Sequence, residues 1–148
     1  AAVECRGEAF ETAELNRNFQ AAKEDGLMGT NLHDFQTTLA RRVTLEGIGV
    51  HSGQPVMIHL NPADADTGVV FVTTEGAELR ALVSEVGATD LSTQIGDRNG
   101  PHVATIEHLM AALFGVGVDN VSIEIEGNEA PILDGSAAQF VDAFDQAG

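Results

Sequence analysis

Cysteine is almost missing from this sequence, which contains Cys5 and no second cysteine. A single thiol cannot form an internal disulfide bond, and it cannot surround a metal with thiolate ligands. If a metal binds within this chain, its ligands are therefore expected to be histidine imidazoles or carboxylates.

Basic residues are also scarce. Seven of the 148 residues are lysine or arginine, against 23 aspartates and glutamates, and the net charge is −16. This excess of negative charge repels phosphate backbones, so we expect no nucleic acid partner. From residue 29 onward the basic residues are Arg41, Arg42, Arg80 and Arg98. Four scattered arginines give a weak hold on a diphosphate, which would need residues from elsewhere.

Long apolar runs are missing as well. No segment approaches the ~20 apolar residues that a membrane-spanning helix needs, and the first residues lack the basic and apolar blocks of a signal peptide. We therefore expect a protein without a membrane span, located in the cytoplasm. A hydrophobic fraction of 43% in 148 residues suits one domain with a real core.

The chain divides near residue 35. Residues 1–35 are predicted to be an N-terminal extension, with a helix over residues 10–26 that Gly26 ends. Residues 36–148 contain the strand and helix patterns of the domain proper. Alternating apolar and polar residues, or short apolar runs, predict strands in the segments 38–45, 56–60, 69–72, 81–86, 91–95 and 119–127.

Two helices are predicted from apolar stripes. The first begins after Thr105, which can cap it, and the second begins after Ser136. The stripe of the first consists of Ile106, Leu109, Met110 and Leu113, and that of the second of Ala137, Phe140, Val141 and Phe144. This order of elements predicts an α+β fold. We expect a two-layer sandwich, in which a mainly antiparallel sheet of about five strands has both helices packed on one face.

The first helix carries the most informative residues. At ~100° per residue, Glu107 and His108 share one side with Ala111, Ala112 and Gly115, away from the apolar stripe. Long solvated side chains are missing there, which suggests that a substrate, a metal or a second domain lies close. Alternatively, Glu107 and His108 are solvated residues at a helix start, where the helix dipole favours an acid. The zinc-binding spacing H-E-x-x-H is absent, so spacing supports one ligand and a neighbouring base.

Two turns also leave alternatives open. GIGVHSG, at 47–53, is either a tight hairpin with positive φ at its glycines or a rigid loop that holds His51 at a site. It does not match the dinucleotide-binding pattern, because Ser52 occupies the third glycine position. The segment 134–136, Asp-Gly-Ser, is interpreted as a turn and helix cap. The pattern alone gives the polar segment 90–93 no role.

Five segments, in their order along the chain, resemble the amino-terminal domain of the UDP-3-O-acyl-N-acetylglucosamine deacetylase family. They are GIGVHSGQPV, ADTGVVF, DLSTQIG, VATIEHLMAALFGVGVDN and PILDGSAAQFVDA. The resemblance covers residues 36–148 and leaves out residues 1–35. It implies the first of two similar domains with an active site between them, the second domain being absent from this chain.

The resemblance implies zinc-dependent hydrolysis of the N-acetyl group of a UDP-linked, acylated glucosamine, on the pathway to lipid A. It implies that His108 binds Zn²⁺ and that Glu107 acts as general base. His51 and the segment Leu91, Ser92 and Thr93 would line the substrate site. The second domain is the implied source of the other zinc ligands, so this chain alone is expected to be inactive.

Two other functions fit the same residues. A non-catalytic half-domain could keep the fold and bind or regulate a partner through the side of the helix that carries Glu107. A self-associating module could pair two copies across the small residues of that side. The presence of both Glu107 and His108 favours the enzyme.

Overall fold

The computed structural model describes residues 35–148, and the helix predicted over residues 10–26 lies outside them. Phe35–Gly148 forms one compact unit. Its strands are β1 (Val43–Ile48), β2 (Pro55–Pro62), β3 (Val69–Thr73), β4 (Glu78–Arg80), β5 (Gln94–Gly96), β6 (His102–Ala104) and β7 (Val121–Glu126). Its α-helices are α1 (Glu107–Val116) and α2 (Ala138–Ala147). None of the described helices is long and apolar enough to cross a membrane.

The main sheet has five strands in the order β1-β2-β7-β3-β4. Three of the four neighbouring pairs are antiparallel, and β3 and β7 run parallel. Strands β5 and β6 form a separate antiparallel pair. The predicted α+β fold with a mainly antiparallel five-stranded sheet is confirmed.

Alternation in the central strands determines which face of the sheet is buried. In β7, Val121, Ile123 and Ile125 are buried, whereas Glu124 and Glu126 are exposed. Helices α1 and α2 cover the buried face, and their core side chains are Leu109, Ala112, Leu113, Phe140, Phe144 and Ala147. Each fully buried Leu or Phe contributes about 1.5–3 kcal/mol through the area it removes from water.

One predicted strand is wrong. Residues 81–86 contain a single turn of 3₁₀-helix, Val83–Glu85, in place of a strand. The N–H of Leu82 bonds to the carbonyl of Arg80, and the N–H of Glu85 bonds to the carbonyl of Leu82. Because these donors are satisfied locally, the segment forms no ladder beyond a single bridge from Val86 to Ile95.

Two other strands begin later than predicted. The first starts at Val43 and not near residue 38, because Thr38 makes one isolated bridge to Asn120 and the N–H of Ala40 bonds to the carbonyl of Gly148. The strand predicted over 91–95 covers Gln94–Gly96. Leu91 has φ of 68°, a left-handed conformation that a strand cannot contain.

Both predicted helix caps are wrong. Ile106 occupies the cap position of α1, and Thr105 has φ of 58° with its hydroxyl turned to Glu129. Ala137 occupies the cap position of α2. Ser136 lies one residue earlier, where its hydroxyl accepts the N–H of Ala138 at 3.1 Å.

Candidate functional site

The first turn of α1 presents Glu107 and His108, both half-buried. The Glu107 carboxylate accepts a hydrogen bond from the backbone N–H of Thr93. The structure thus brings together the predicted base, the predicted metal ligand next to it and one residue of the predicted substrate segment. Fourteen residues of sequence separate the two partners of this bond.

Hydrogen bonding keeps Glu107 ionised. Burial opposes the charge, but hydrogen bonds from its own N–H and from the backbone and hydroxyl of Thr93, together with the charge of His108, lower the pKa of Glu107 below its usual value. At neutral pH the carboxylate is therefore in the form that can accept a proton.

The predicted turn at Asp134 is confirmed, and it adds a second acid near His108. Asp134 Oδ1 accepts the N–H of Ser136 at 2.9 Å and its hydroxyl at 2.8 Å. These bonds, with a smaller effect from the charge of His108, lower the pKa of the Asp134 carboxyl. Asp134 is therefore a second acid whose charge interacts with that of His108.

The side of α1 that carries Glu107 differs from the prediction in two residues. Ala112 is 1% exposed and belongs to the core, because the buried stripe of the helix is wider than the sequence suggests. Phe114 is 90% exposed, although it is a large apolar residue. Ala111 and Gly115 are exposed beside it. On the exposed side of α1, the aromatic ring of Phe114 is thus flanked by the small residues Ala111 and Gly115.

The structure confirms a tight hairpin in the GIGVHSG segment. The N–H of Gly49 bonds to the carbonyl of Gln54, the N–H of Gly53 bonds back to the carbonyl of Gly49, and Gly53 has φ of 64°. This is the tight hairpin between β1 and β2. The N–H of His51 is also bound at 2.9 Å by the side chain of Glu129, which fixes the loop to a distant segment.

An open cavity of about 530 Å³ lies beside this loop. His51 and Ser92 both line it, so the structure brings these two predicted residues together. Asp90, Arg98 and His102 line the same cavity. A carboxylate oxygen of Asp90 lies 3.7 Å from a guanidinium nitrogen of Arg98, which adds one ion pair to the cavity rim.

Leu91 is not among the residues that line this cavity. Its side chain is 92% exposed on a backbone of positive φ, and its two chain neighbours, Asp90 and Ser92, line the cavity. A leucine held in solvent by a strained backbone is available to contact an apolar ligand.

Glu129 is a site residue that the sequence reasoning missed. It is buried, and it accepts hydrogen bonds from the N–H groups of His51 and Ser52 and from the hydroxyl of Thr105. Burial opposes its charge, but these bonds lower the pKa of Glu129. One acid in the segment GNEAP carries no recognisable pattern, and its partners lie 24 to 78 residues away.

The donor set fits a zinc ion only in part. Within residues 35–148, no group of three or more His, Cys, Asp or Glu side chains is placed to hold a metal together. A catalytic zinc ion takes about three protein ligands and one open position. His108 is a suitable ligand by its chemistry, and the remaining ligands would have to come from outside the described residues.

Comparison with known proteins gives a consistent match over the described domain. Residues 36–148 match the model of a family described as UDP-3-O-acyl N-acetylglycosamine deacetylase. Proteins named UDP-3-O-acyl-N-acetylglucosamine deacetylase from Brucella ovis and Brucella melitensis are each 48% identical to this chain over 120 residues. The matched region is 79% of this chain and 42% of each relative, so the chain spans about two fifths of their length.

Proposed function

The chain belongs to the UDP-3-O-acyl-N-acetylglucosamine deacetylase family, and we propose that it carries one side of that enzyme's active site. The proposed reaction is zinc-dependent hydrolysis of the N-acetyl group of a UDP-linked, 3-O-acylated glucosamine, in the cytoplasm and on the pathway to lipid A. The observation that carries this proposal is the first turn of α1, where an ionised Glu107 adjoins His108 and is held by Thr93.

Glu107 is the proposed general base. One carboxylate oxygen, Oε1, is held by the N–H of Thr93, and the other is the proposed acceptor for the proton of the attacking water. The lowered pKa keeps this group ionised but weakens its affinity for a proton.

His108 is the proposed zinc ligand of this chain. The ion that it would hold supplies a positive charge that polarises the amide carbonyl and lowers the pKa of water. We propose that the remaining ligands belong to a second domain of the same enzyme, and that residues 1–148 alone are inactive. The incomplete donor set around His108 within residues 35–148 supports this division.

The substrate is proposed to lie along the cavity and the adjoining strained segment. His51 and Ser92 would contact the sugar from the cavity, and Thr93 would hold the base beside it. Leu91, exposed and apolar, would contact the acyl chain. The diphosphate needs cations from elsewhere, since Arg98 lies beside Asp90, which partly neutralises it.

A second candidate is a non-catalytic binding module. Phe114, 90% exposed on α1, favours a partner surface and would serve a regulatory half-domain as well as an enzyme. Both functions predict that the chain binds a partner domain, but only the enzyme predicts turnover of the UDP-linked substrate.

Complementation separates the two candidates. The chain is mixed with the separately expressed second domain of a Brucella relative, and both association and acetate release from the UDP-linked substrate are measured with zinc present. We expect turnover that needs both parts and is lost in Glu107→Ala and His108→Ala. Association without turnover would leave the binding module as the function.

A further inference from the structure

Glu129, in the connection between β7 and α2, is a buried acid for which the proposed chemistry has no use. It is 6% exposed, and both of its carboxylate oxygens accept hydrogen bonds. Oε1 accepts from the N–H of His51 at 2.9 Å and from the hydroxyl of Thr105 at 3.0 Å, and Oε2 accepts from the N–H of Ser52 at 2.9 Å. A buried carboxylate needs such partners to remain charged. Glu129 therefore joins two segments that are far apart in the sequence.

The glycine loop is shaped around this carboxylate. Two successive N–H groups, of His51 and Ser52, are directed at one carboxylate, as in a backbone nest that binds an anion. A β-carbon on Gly49 would overlap the carboxylate of Glu129, so only glycine allows the approach. Because His51 lines the cavity, the carboxylate helps to determine where the imidazole lies.

The second segment held by Glu129 leads directly into α1. Thr105 is β-branched and has φ of 58°, a strained conformation that persists only when neighbours hold it. The N–H of Ala104 bonds to the carbonyl of Asn128, and the N–H of Ala130 bonds to the carbonyl of Ala104, each at 2.9 Å. These bonds and the hydroxyl bond to Glu129 therefore fix the direction in which the chain enters the helix.

We propose that Glu129 is a positioning residue that couples the His51 loop to the first turn of α1. This inference rests on the proposed function, because its catalytic effect requires Glu107 and His108 to act in the reaction. Glu129 itself touches no reacting atom. With the carboxylate removed, the loop and the helix start can move independently, and a displacement of about 1 Å can lower a rate ~100-fold.

The chain offers matched variants for both halves of the coupling. Glu129→Gln replaces one acceptor oxygen by an NH₂ donor, so either the N–H of Ser52, or the N–H of His51 together with the Thr105 hydroxyl, loses its acceptor. Glu124→Gln makes the same change on the exposed face of the sheet and serves as control. Thr105→Val replaces the hydroxyl that reaches Glu129 by a methyl group, and Thr105→Ser keeps the hydroxyl and loses the γ-methyl group.

Amide exchange and NMR chemical shifts of the 148-residue chain test the coupling directly. In Glu129→Gln we expect the amides of His51 and Ser52 to exchange at least tenfold faster, and the backbone resonances of Glu107 and His108 to shift. Glu124→Gln should change neither. Faster exchange in the loop with unchanged resonances at Glu107 and His108 would overturn the proposal and leave Glu129 as a local anchor.

The threonine variants decide the question if Glu129→Gln does not fold. Thr105→Val should shift the amide resonances of His51 and Ser52, although Thr105 bonds to neither, and Thr105→Ser should leave them in place. Unchanged loop resonances in a folded Thr105→Val would overturn the coupling.

Kinetics of the chain mixed with the second domain give an independent readout. Glu129→Gln should lower kcat at least tenfold, because the base and the metal ligand are displaced, and should also raise KM, because the His51 loop is proposed to contact the sugar. A change confined to KM would contradict a role at the helix start. If the unsubstituted mixture shows no turnover, the proposed function fails, while the NMR result still decides whether Glu129 couples the two segments.

Discussion

The backbone N–H of Thr93 donates a hydrogen bond to the carboxylate of Glu107, and so ties the strained segment around Leu91 to the first turn of α1. The bond lowers the pKa of Glu107 and fixes one of its two oxygens. Thr93 also follows Ser92, which lines the cavity, so the bond connects the cavity wall to the helix that carries His108. The residues proposed to act together are therefore connected through the backbone.

The contribution of Glu129 to stability should depend on pH. Its folded pKa lies below the unfolded value, so its stabilisation is present above the unfolded pKa of about 4.3 and is lost as the pH falls through the folded pKa. At pH 7, Glu129→Gln should lower the free energy of unfolding by about 1–3 kcal/mol. Urea unfolding from pH 7 to pH 3 should show this difference shrinking below pH 4.5. A difference that is constant over this range would contradict the role of the charge.

The core and the exposed side of α1 should respond differently to the loss of a phenylalanine. Phe140 is 0% exposed, and Phe140→Ala should lower the free energy of unfolding by about 3–5 kcal/mol. Phe114→Ala truncates a phenylalanine that lies in solvent. It should therefore change the free energy of unfolding by less than about 0.5 kcal/mol. Denaturant unfolding of the chain alone measures both, and a large effect of Phe114→Ala would show that this ring packs within the chain.

Two glycines should tolerate alanine to different degrees. A β-carbon on Gly49 would overlap the Glu129 carboxylate and the Ser52 hydroxyl, so Gly49→Ala should destabilise the chain by about 1–3 kcal/mol. Gly115 lies in α1 with nothing within 4 Å of such a carbon, and Gly115→Ala should stabilise by about 0.5–1 kcal/mol. Thermal unfolding of the two variants measures both changes in stability. Equal changes would contradict the close packing of Gly49 against Glu129.

Zinc binding should depend on a second domain. The chain alone contributes His108 and should bind zinc weakly, and addition of the second domain should tighten binding at least 100-fold. His108→Ala should abolish this increase in zinc affinity. His59→Ala is the matched control, because His59 lies on the outer face of the sheet, where its Nδ1 contacts the Thr44 hydroxyl at 2.8 Å. Tight binding by the chain alone would contradict the proposed division of ligands.

Periodic segments of the fold could be predicted from the sequence, and irregular ones could not. The alternation in β7 and the stripe of α2 report which side of each element is buried, so the layers follow from them. The segment 81–86 is apolar enough for a strand, yet its backbone donors are satisfied locally. Thr105 is a good cap by type, but its hydroxyl is drawn to Glu129 by a contact across 24 residues.

The candidate site was predictable where its residues are adjacent in sequence. Glu107 and His108 are neighbours on one helix turn, and the pattern of small residues around them points to that turn. Glu129 has no such context, because its function depends on a loop that starts 80 positions earlier in the chain, at Gly49. Long-range hydrogen bonds of this kind leave no local periodicity.

The most direct test of the central claim is the rate of acetate release by the chain and a second domain, with Glu107→Gln compared with the unsubstituted chain at equal zinc occupancy. General-base catalysis contributes about 10²–10⁴-fold, so we predict a loss of that size with association of the two domains unchanged. Equal rates in the two mixtures, or no acetate release from either, would contradict the assignment of this chain as the side of the deacetylase site that carries the base.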